Sequence, residues 1–259
     1  MRTEREGENM GLWTLPHLFQ IIPTFFVLAV LSAVIARFLN KRDVSVRYVP
    51  LKIIAVLLLL LEVAKQINSA CADGGYNMYS LPFHYCSLFI YLLPLHAFCR
   101  GKRSSLIAPV TLGCLAALTV AMLIMPAAIY TDADIIGFFS DFAKFHTLIF
   151  HNLVVFYFML TVAFELWRES KRDVTAISVF IGAYVTLAAI LSYSLGVNFH
   201  NLRTCNVPFI DALRIKTVDA LGVFGTLLYV GAVLVISVAF TVAAYYLAVI
   251  LIRTVKKKK

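Results

Sequence analysis

Charge is what this chain has least of. Only 14% of its 259 residues are Asp, Glu, Lys or Arg, against 61% hydrophobic. A mean hydropathy of +0.86 leaves too few polar side chains to cover a soluble globule, so a polytopic membrane protein is expected. The five cysteines, Cys71, Cys86, Cys99, Cys114 and Cys205, lack the spacing of any zinc module. Linkers rich in Pro, Gly or Ser are missing, as are internal repeats, so residues 1–259 read as one domain. No Lys falls between Ala220 and Ile252, which excludes a retinal Schiff base on the last helix. Cys99-Arg100-Gly101 lacks the acidic-Arg signature of a receptor at the end of the third span. The first ten residues mix Arg2 and Arg5 with Glu4, Glu6 and Glu8. They do not make a signal peptide, so the first apolar run counts as a retained helix.

What is abundant is apolar sequence of spanning length, about 20 residues per run. The runs are Leu18 to Ala36, Ile53 to Ala70, Leu81 to Cys99, Ser104 to Tyr130, Phe145 to Phe164, Val174 to Leu202 and Ala220 to Ile252. They predict an all-α fold of seven transmembrane helices. Most of the 23 basic residues fall in the first, third and fifth connections and the tail, from Arg37, Lys41 and Arg42 through Lys171 and Arg172 to Lys256–Lys259. Positive charge stays cytoplasmic, so the N-terminus is expected outside and the C-terminus in the cytoplasm. The net charge of +9 is explained by this pattern and by anionic headgroups, without nucleic acid. Cys71 and Cys205 then fall on the same side, where a disulfide is conceivable.

Polar residues inside a membrane are costly and mark function. Here they gather in the expected outer half: His17 in the first span, Glu62, Lys65 and Gln66 in the second, His84 and Cys86 in the third, Lys144, His146, Thr147, His151 and Asn152 in the fifth, and His200 beyond the sixth. The cytoplasmic halves read as nearly pure Leu, Val, Ile, Ala and Phe. At 1.5 Å per residue, Cys86 and His151 each sit roughly 8–9 Å below the start of their spans, so they share a depth. Lys144, Thr147 and His151 share a helical face, whereas His146 is rotated from His151 by about 140° and reads as interfacial. Ser80 reads as the N-cap of the third helix with Pro82 in its first turn, and in that helix His84 and Cys86 point nearly opposite ways. Glu62 and Lys65 can pair across one turn. The bland readings are core packing for a lone cysteine, an interhelical hydrogen bond for a lone histidine and a structural ion pair for Glu62 with Lys65. Zinc lacks a suitably spaced fourth ligand, so no metal or cofactor is expected.

Leu81-Pro82-Phe83-His84-Tyr85-Cys86, the run Phe145 to Val155 and the loop Asn198 to Pro208 together resemble the YwaF-like integral membrane proteins of bacteria, over nearly the whole chain. His17 is similar to a first-span His of that group. The resemblance implies kinship with a mammalian membrane acyltransferase that loads acyl chains onto ether lysophospholipids through a cysteine thioester. More distantly it implies kinship with lipid hydrolases that use Thr and His. It thereby implies Cys86 as nucleophile and His151 as general base. His84, Asn152, Glu62, Lys65, His17, Thr147 and His200 would bind substrate or support the site. The mammalian branch reads Cys-His where this chain reads His-x-Cys. The expected activity is phospholipid acyl transfer in a bacterial cell membrane, with membrane phospholipids as substrate and solvent and the oligomeric state left open. A lipid hydrolase using the same pair and a small-solute transporter with an outer polar cavity are the alternatives.

Overall fold

Hydrocarbon offers no partner to a backbone N–H or C=O, so apolar runs satisfy both internally as helices. The computed structural model describes residues 13–257 apart from Asp73, Arg100, Lys102, Arg103 and Arg168. Arg2, Arg5, Arg100, Lys102, Arg103, Arg168, Lys258 and Lys259, which enter the orientation argument, lie outside the described residues, as does the acidic and basic mixture of the first ten. The helices are α1 (Leu15–Leu39), α2 (Val44–Ala70), α3 (Leu88–Phe98), α4 (Ser104–Ile124), α5 (Asp132–Ile136), α6 (Phe142–Phe164), α7 (Asp173–Leu195), α8 (Pro208–Leu221) and α9 (Val223–Lys257). No strand occurs among the described residues. The chain is an all-helical integral membrane protein, and among the described residues α1, α2, α4, α6, α7 and α9 are six helices long and apolar enough to cross a bilayer.

The expected third span departs from this pattern. Its apolar helical stretch covers only Tyr85–Phe98, about 21 Å against a hydrocarbon core of about 30 Å. Ser80 does not cap a helix that continues into the membrane. It ends a short 3₁₀ turn, Met78–Ser80, and the chain then runs without helix through Leu81 to His84 before a second 3₁₀ turn, Tyr85–Ser87, leads into α3. Pro82 therefore stands in irregular backbone, not in a first helical turn. The other boundaries shift as well. The sixth run stops being helical at Leu195, and its last residues form a loop with a 3₁₀ turn at Phe199–Asn201. The seventh begins at Val223, preceded by the separate helix α8, which has no buried residue and carries Asp211, Arg214, Lys216 and Asp219.

α4 is the central helix, buried over most of its length and packed on α9, α7, α3 and α6. Gly113 makes that packing close. A Cβ there would stand 3.3 Å from the Ile177 Cδ1 of α7 and 3.3 Å from the Thr241 Cγ2 of α9, the small-residue logic of helix association in lipid. α1 rests mainly on α6, and α2 on α6 and α3. Directions alternate, so two ends can be defined by contacts. At one end, Trp13 Nε1 donates to the Leu123 carbonyl (3.0 Å), Glu62 faces His146 and the Tyr229 hydroxyl donates to the Asn201 carbonyl (2.6 Å). This is the histidine end. At the other, Asn40 Nδ2 donates to the Ala163 carbonyl (3.2 Å), the Lys52 ammonium lies 5.5 Å from the Phe98 ring centre and Arg253 pairs with Glu169. With Arg37, Lys41 and Arg42 on the same side, this is the basic end.

Candidate functional site

The unwound entrance to α3 is held by side chains from elsewhere. Tyr184 of α7 donates its hydroxyl to the His84 carbonyl (2.8 Å), and His84 Nε2–H donates to the Tyr79 carbonyl (3.1 Å). The His84 ring packs against Tyr79 and, edge-on, against Phe199. From the end of α2, Gln66 Nε2 donates to the Ser80 carbonyl (2.8 Å). These bonds satisfy backbone groups that an α-helix would have satisfied itself. His84 thus precedes the 3₁₀ turn in an extended conformation, φ −76° and ψ 159°, and the helical argument that set it opposite Cys86 does not apply. Cys86 is half-buried, packed on the core and within electrostatic reach of Lys65 and Glu62.

Glu62, 7% exposed, organises the adjoining polar group. Its Oε1 takes Lys65 Nζ at 2.8 Å and Gln66 Nε2 at 2.6 Å, so the expected one-turn pair forms. Tyr76 in turn donates to Gln66 Oε1 (2.5 Å). Across the helix interface His146 Nε2 lies 3.9 Å from Glu62 Oε2, too far for a hydrogen bond. His146 is not the interfacial residue expected from sequence. It is 8% exposed, stacked on Phe150 and turned toward α2, with Nε2 buried and unpartnered.

His151 belongs to a second group. Its Nδ1 lies 2.7 Å from the Thr147 carbonyl. A carbonyl only accepts, so Nδ1 carries the proton and the Nε2 lone pair remains. The shared face of Thr147 and His151 is therefore real, with the Thr147 backbone as the partner. The ring stands edge-on to Tyr130, centroids 5.5 Å apart. The Tyr130 carbonyl accepts His17 Nε2–H (3.0 Å), and the Thr14 hydroxyl lies 2.6 Å from His17 Nδ1 and donates to Asp132 (2.6 Å). His17 is 1% exposed and fastens the start of α1 to the connection carrying α5. Among the described residues no hydrogen bond joins Cys86 to His151. His146 lies between the two groups, within electrostatic reach of both Lys65 and His151. Asn152 follows His151 with its Oδ1 buried and unpartnered. Lys144 reaches back to the turn at Gly137. His200 joins the α3 entrance from the loop after α7, in a left-handed conformation (φ 53°), its Nε2 3.0 Å from Ser237 Oγ and its ring against Tyr85.

A family sequence model described as the TMEM164 family matches residues 12–244. The chain belongs to the TMEM164 family. The short motifs pointed to a YwaF-like protein, and that narrower name remains a resemblance. No curated protein and no solved structure is significantly similar to the chain. The matched region of this TMEM164-family chain contains both polar groups, the α3 entrance and the loop with His200.

Several polar residues of the TMEM164-family chain escaped sequence reasoning. The basic half is not purely apolar: His96 Nδ1 and the Tyr157 hydroxyl meet at 2.7 Å in the core, and Tyr245 donates to Asp173 at 2.6 Å, with Asp173 2% exposed. Tyr130 and Tyr184 lie within apolar runs that give them no separate signal, although the Tyr130 carbonyl and the Tyr184 hydroxyl order the site. All five cysteines are free thiols, so Cys71 and Cys205 do not form a disulfide. Among the described residues no group of three or more His, Cys, Asp or Glu is arranged to hold a metal ion.

Proposed function

We propose that the chain is an intramembrane lipid acyltransferase working through a thioester on Cys86, with His151 as general base. The observation that carries this reading is the match to the TMEM164 family over residues 12–244, a family that the sequence resemblance ties to ether-lipid acyl transfer. Two features support the assignment of roles. Cys86 lies in the 3₁₀ turn Tyr85–Ser87, directly after the irregular stretch Leu81–His84, within electrostatic reach of the Lys65 ammonium. His151 keeps an Nε2 lone pair because the Thr147 carbonyl fixes its tautomer.

In the cycle, His151 Nε2 takes the Cys86 proton and the sulfur attacks the ester carbonyl of a donor phospholipid. The carbon–oxygen bond breaks, the lysophospholipid alkoxide takes the proton from His151, and the acyl group remains as a thioester. An acceptor lysophospholipid hydroxyl then attacks that thioester, His151 takes its proton, and the thiol is regenerated. Cys86 and His151 must close to hydrogen-bond distance in the substrate complex, as catalytic pairs that are loose without substrate do. With water as acceptor the same steps give a lipid hydrolase. The histidine end faces outward in this proposal, following the basic-residue count.

The test uses the purified chain in phospholipid vesicles with a labelled acyl donor. Label should become attached in a hydroxylamine-sensitive manner to the wild type and be absent from Cys86→Ala, with transfer to added lysophospholipid lost in the same variant. Full transfer by Cys86→Ala would overturn the assignment. Release of free fatty acid without transfer selects the hydrolase form.

A further inference from the structure

Among the described residues α1 and α9 share no extensive contact. Each leans on α6, and α4 packs on α6 and α9, so the gap between α1 and α9 is floored by α4 and α6. This gap is a groove of about 540 Å³, within the range of about 300–1,000 Å³ typical of ligand sites. Phe25, Ala29 and Ser32 wall it on α1, Phe158 floors it, and Ala248 and Leu251 wall it on α9. Its walls run on into the bilayer-facing surfaces of α1, with Phe26, Val30 and Val34 exposed, and of α9, with Leu247 and Ile250 exposed. The groove is an inlet of the lipid-contacting surface.

Two hydroxyls interrupt the apolar lining, and that of Thr119 is satisfied by the Leu115 carbonyl at 2.8 Å. Ser32 is 3% exposed and its hydroxyl is buried without a hydrogen-bond partner, which is costly in hydrocarbon. Arg37 lies about 7.5 Å further along the axis than Ser32 and about 140° round it, one turn beyond the groove-lining Ala33 and nearly on its face; it begins a basic collar completed by Lys41 and Arg42, all exposed. A donor hydroxyl in an apolar slot with cations one step beyond it matches, in order, the acyl chain, ester carbonyl and phosphate of a glycerophospholipid. The slot runs from Phe25 to Ala33, about 12 Å, close to one leaflet's half of a 30 Å core. A transmembrane helix of that length and about 10 Å width would need roughly 900 Å³, more than the groove holds.

We propose that the groove between α1 and α9 binds one acyl chain of a diacyl phospholipid in the leaflet at the basic end, with the Ser32 hydroxyl donating to its ester carbonyl and the Arg37 collar taking its phosphate. This site is separate from the histidine end and does not rest on the acyl-transfer reading.

The experiment uses the full chain carrying Cys86→Ala, so that no acyl-enzyme forms, in phosphatidylcholine vesicles with trace phosphatidylglycerol bearing a photoreactive diazirine on one chain. Diester and diether versions are compared, and labelled peptides are mapped. Diester lipid should label Phe25–Ala33 and Ala244–Leu251 about fivefold more than diether lipid, the worth of one hydrogen bond. Ser32→Ala should make the two equal. Ala29→Phe and Ala33→Phe, at exposed positions on the groove wall, should cut groove labelling about tenfold by filling the slot. Labelling of the lipid-facing Val179 and Leu187 on α7 reports that each variant is folded. Groove labelling that survives the filling variants, or a wild type indifferent to ester and ether, would overturn the proposal. So would a cross-link from position 29 to a second copy of the chain, which would make the groove a subunit interface. Transfer activity enters none of these readouts, so the two proposals fail independently.

Discussion

Glu62→Ala tests the polar group beside Cys86. The wild-type carboxylate, 7% exposed, accepts from Lys65 at 2.8 Å and Gln66 at 2.6 Å. Removing one partner of a fully buried pair costs about 3–5 kcal/mol because the other charge is stranded. The Lys65 side chain is 21% exposed and Gln66 keeps its bond to the Ser80 carbonyl, so part of that cost is recovered through water and the remaining donor. We expect a loss of about 2 kcal/mol, read in detergent as a fall in Tm of about 4–8 °C. Adding Lys65→Met removes the stranded ammonium and should restore about half of the loss, a coupling of about 1 kcal/mol in the double-mutant cycle. A Tm within about 1 °C of wild type, or strictly additive losses, would refute the view that Glu62 holds a buried network.

Two further outcomes follow from other parts of the bundle. Gly113→Leu should cost about 3 kcal/mol and Gly113→Ala about 1 kcal/mol, because Ile177 and Thr241 stand 3.3 Å from the added Cβ; thermal unfolding checks both, and a wild-type Tm for the Leu variant refutes the close packing. On α8, outside the spans, Arg214 hydrogen-bonded to Asp211 holds that carboxyl below its ordinary value of 3.8, aided by the Cys205 amide. A folded-state value below the unfolded one means stability that is present above the ordinary value and lost as pH falls through the folded value. The pair is half-buried at the surface and open to solvent screening, so the effect is under about 1 kcal/mol. The hydrogen-exchange protection of the Cys205 amide, 2.8 Å from Asp211, should fall below the ordinary carboxylate range in wild type and be flat with pH in Asp211→Asn. Parallel profiles would refute it.

Apolar runs of spanning length made the long helices legible, and charge spacing made the Glu62–Lys65 pair legible. The α3 entrance was not, because Leu81 to Ser87 carries no charged residue and leads straight into an apolar run. What unwinds it is a set of bonds from Tyr184, a hundred residues away, and from Gln66. Hydropathy cannot report a backbone whose partners come from other helices. His146 was misplaced for a related reason. Its angle from His151 says that the two differ in face, but only the packing of α2 against α6 says that both faces are buried. α8 passed unnoticed because its charges, Asp211, Arg214, Lys216 and Asp219, hid a helix that lies against α9 through Gly225, where a Cβ would collide with the Thr217 carbonyl.

The brevity of α3 also bears on how the chain is made. Its 11 residues fall well short of the length at which a segment partitions into a bilayer by its own apolarity, and seven of them are buried against neighbours. During synthesis α2 emerges before it and α4 after it, and these are helices it packs on. The entrance bonds to Tyr184 form only once α7 has been made. Stable burial of this segment in the bilayer is therefore expected to depend on its companions. In a ribosome-bound chain ending before α4, Cys86 should react with a water-soluble thiol reagent, and that reactivity should fall once α7 has been made; equal protection at both lengths would refute this.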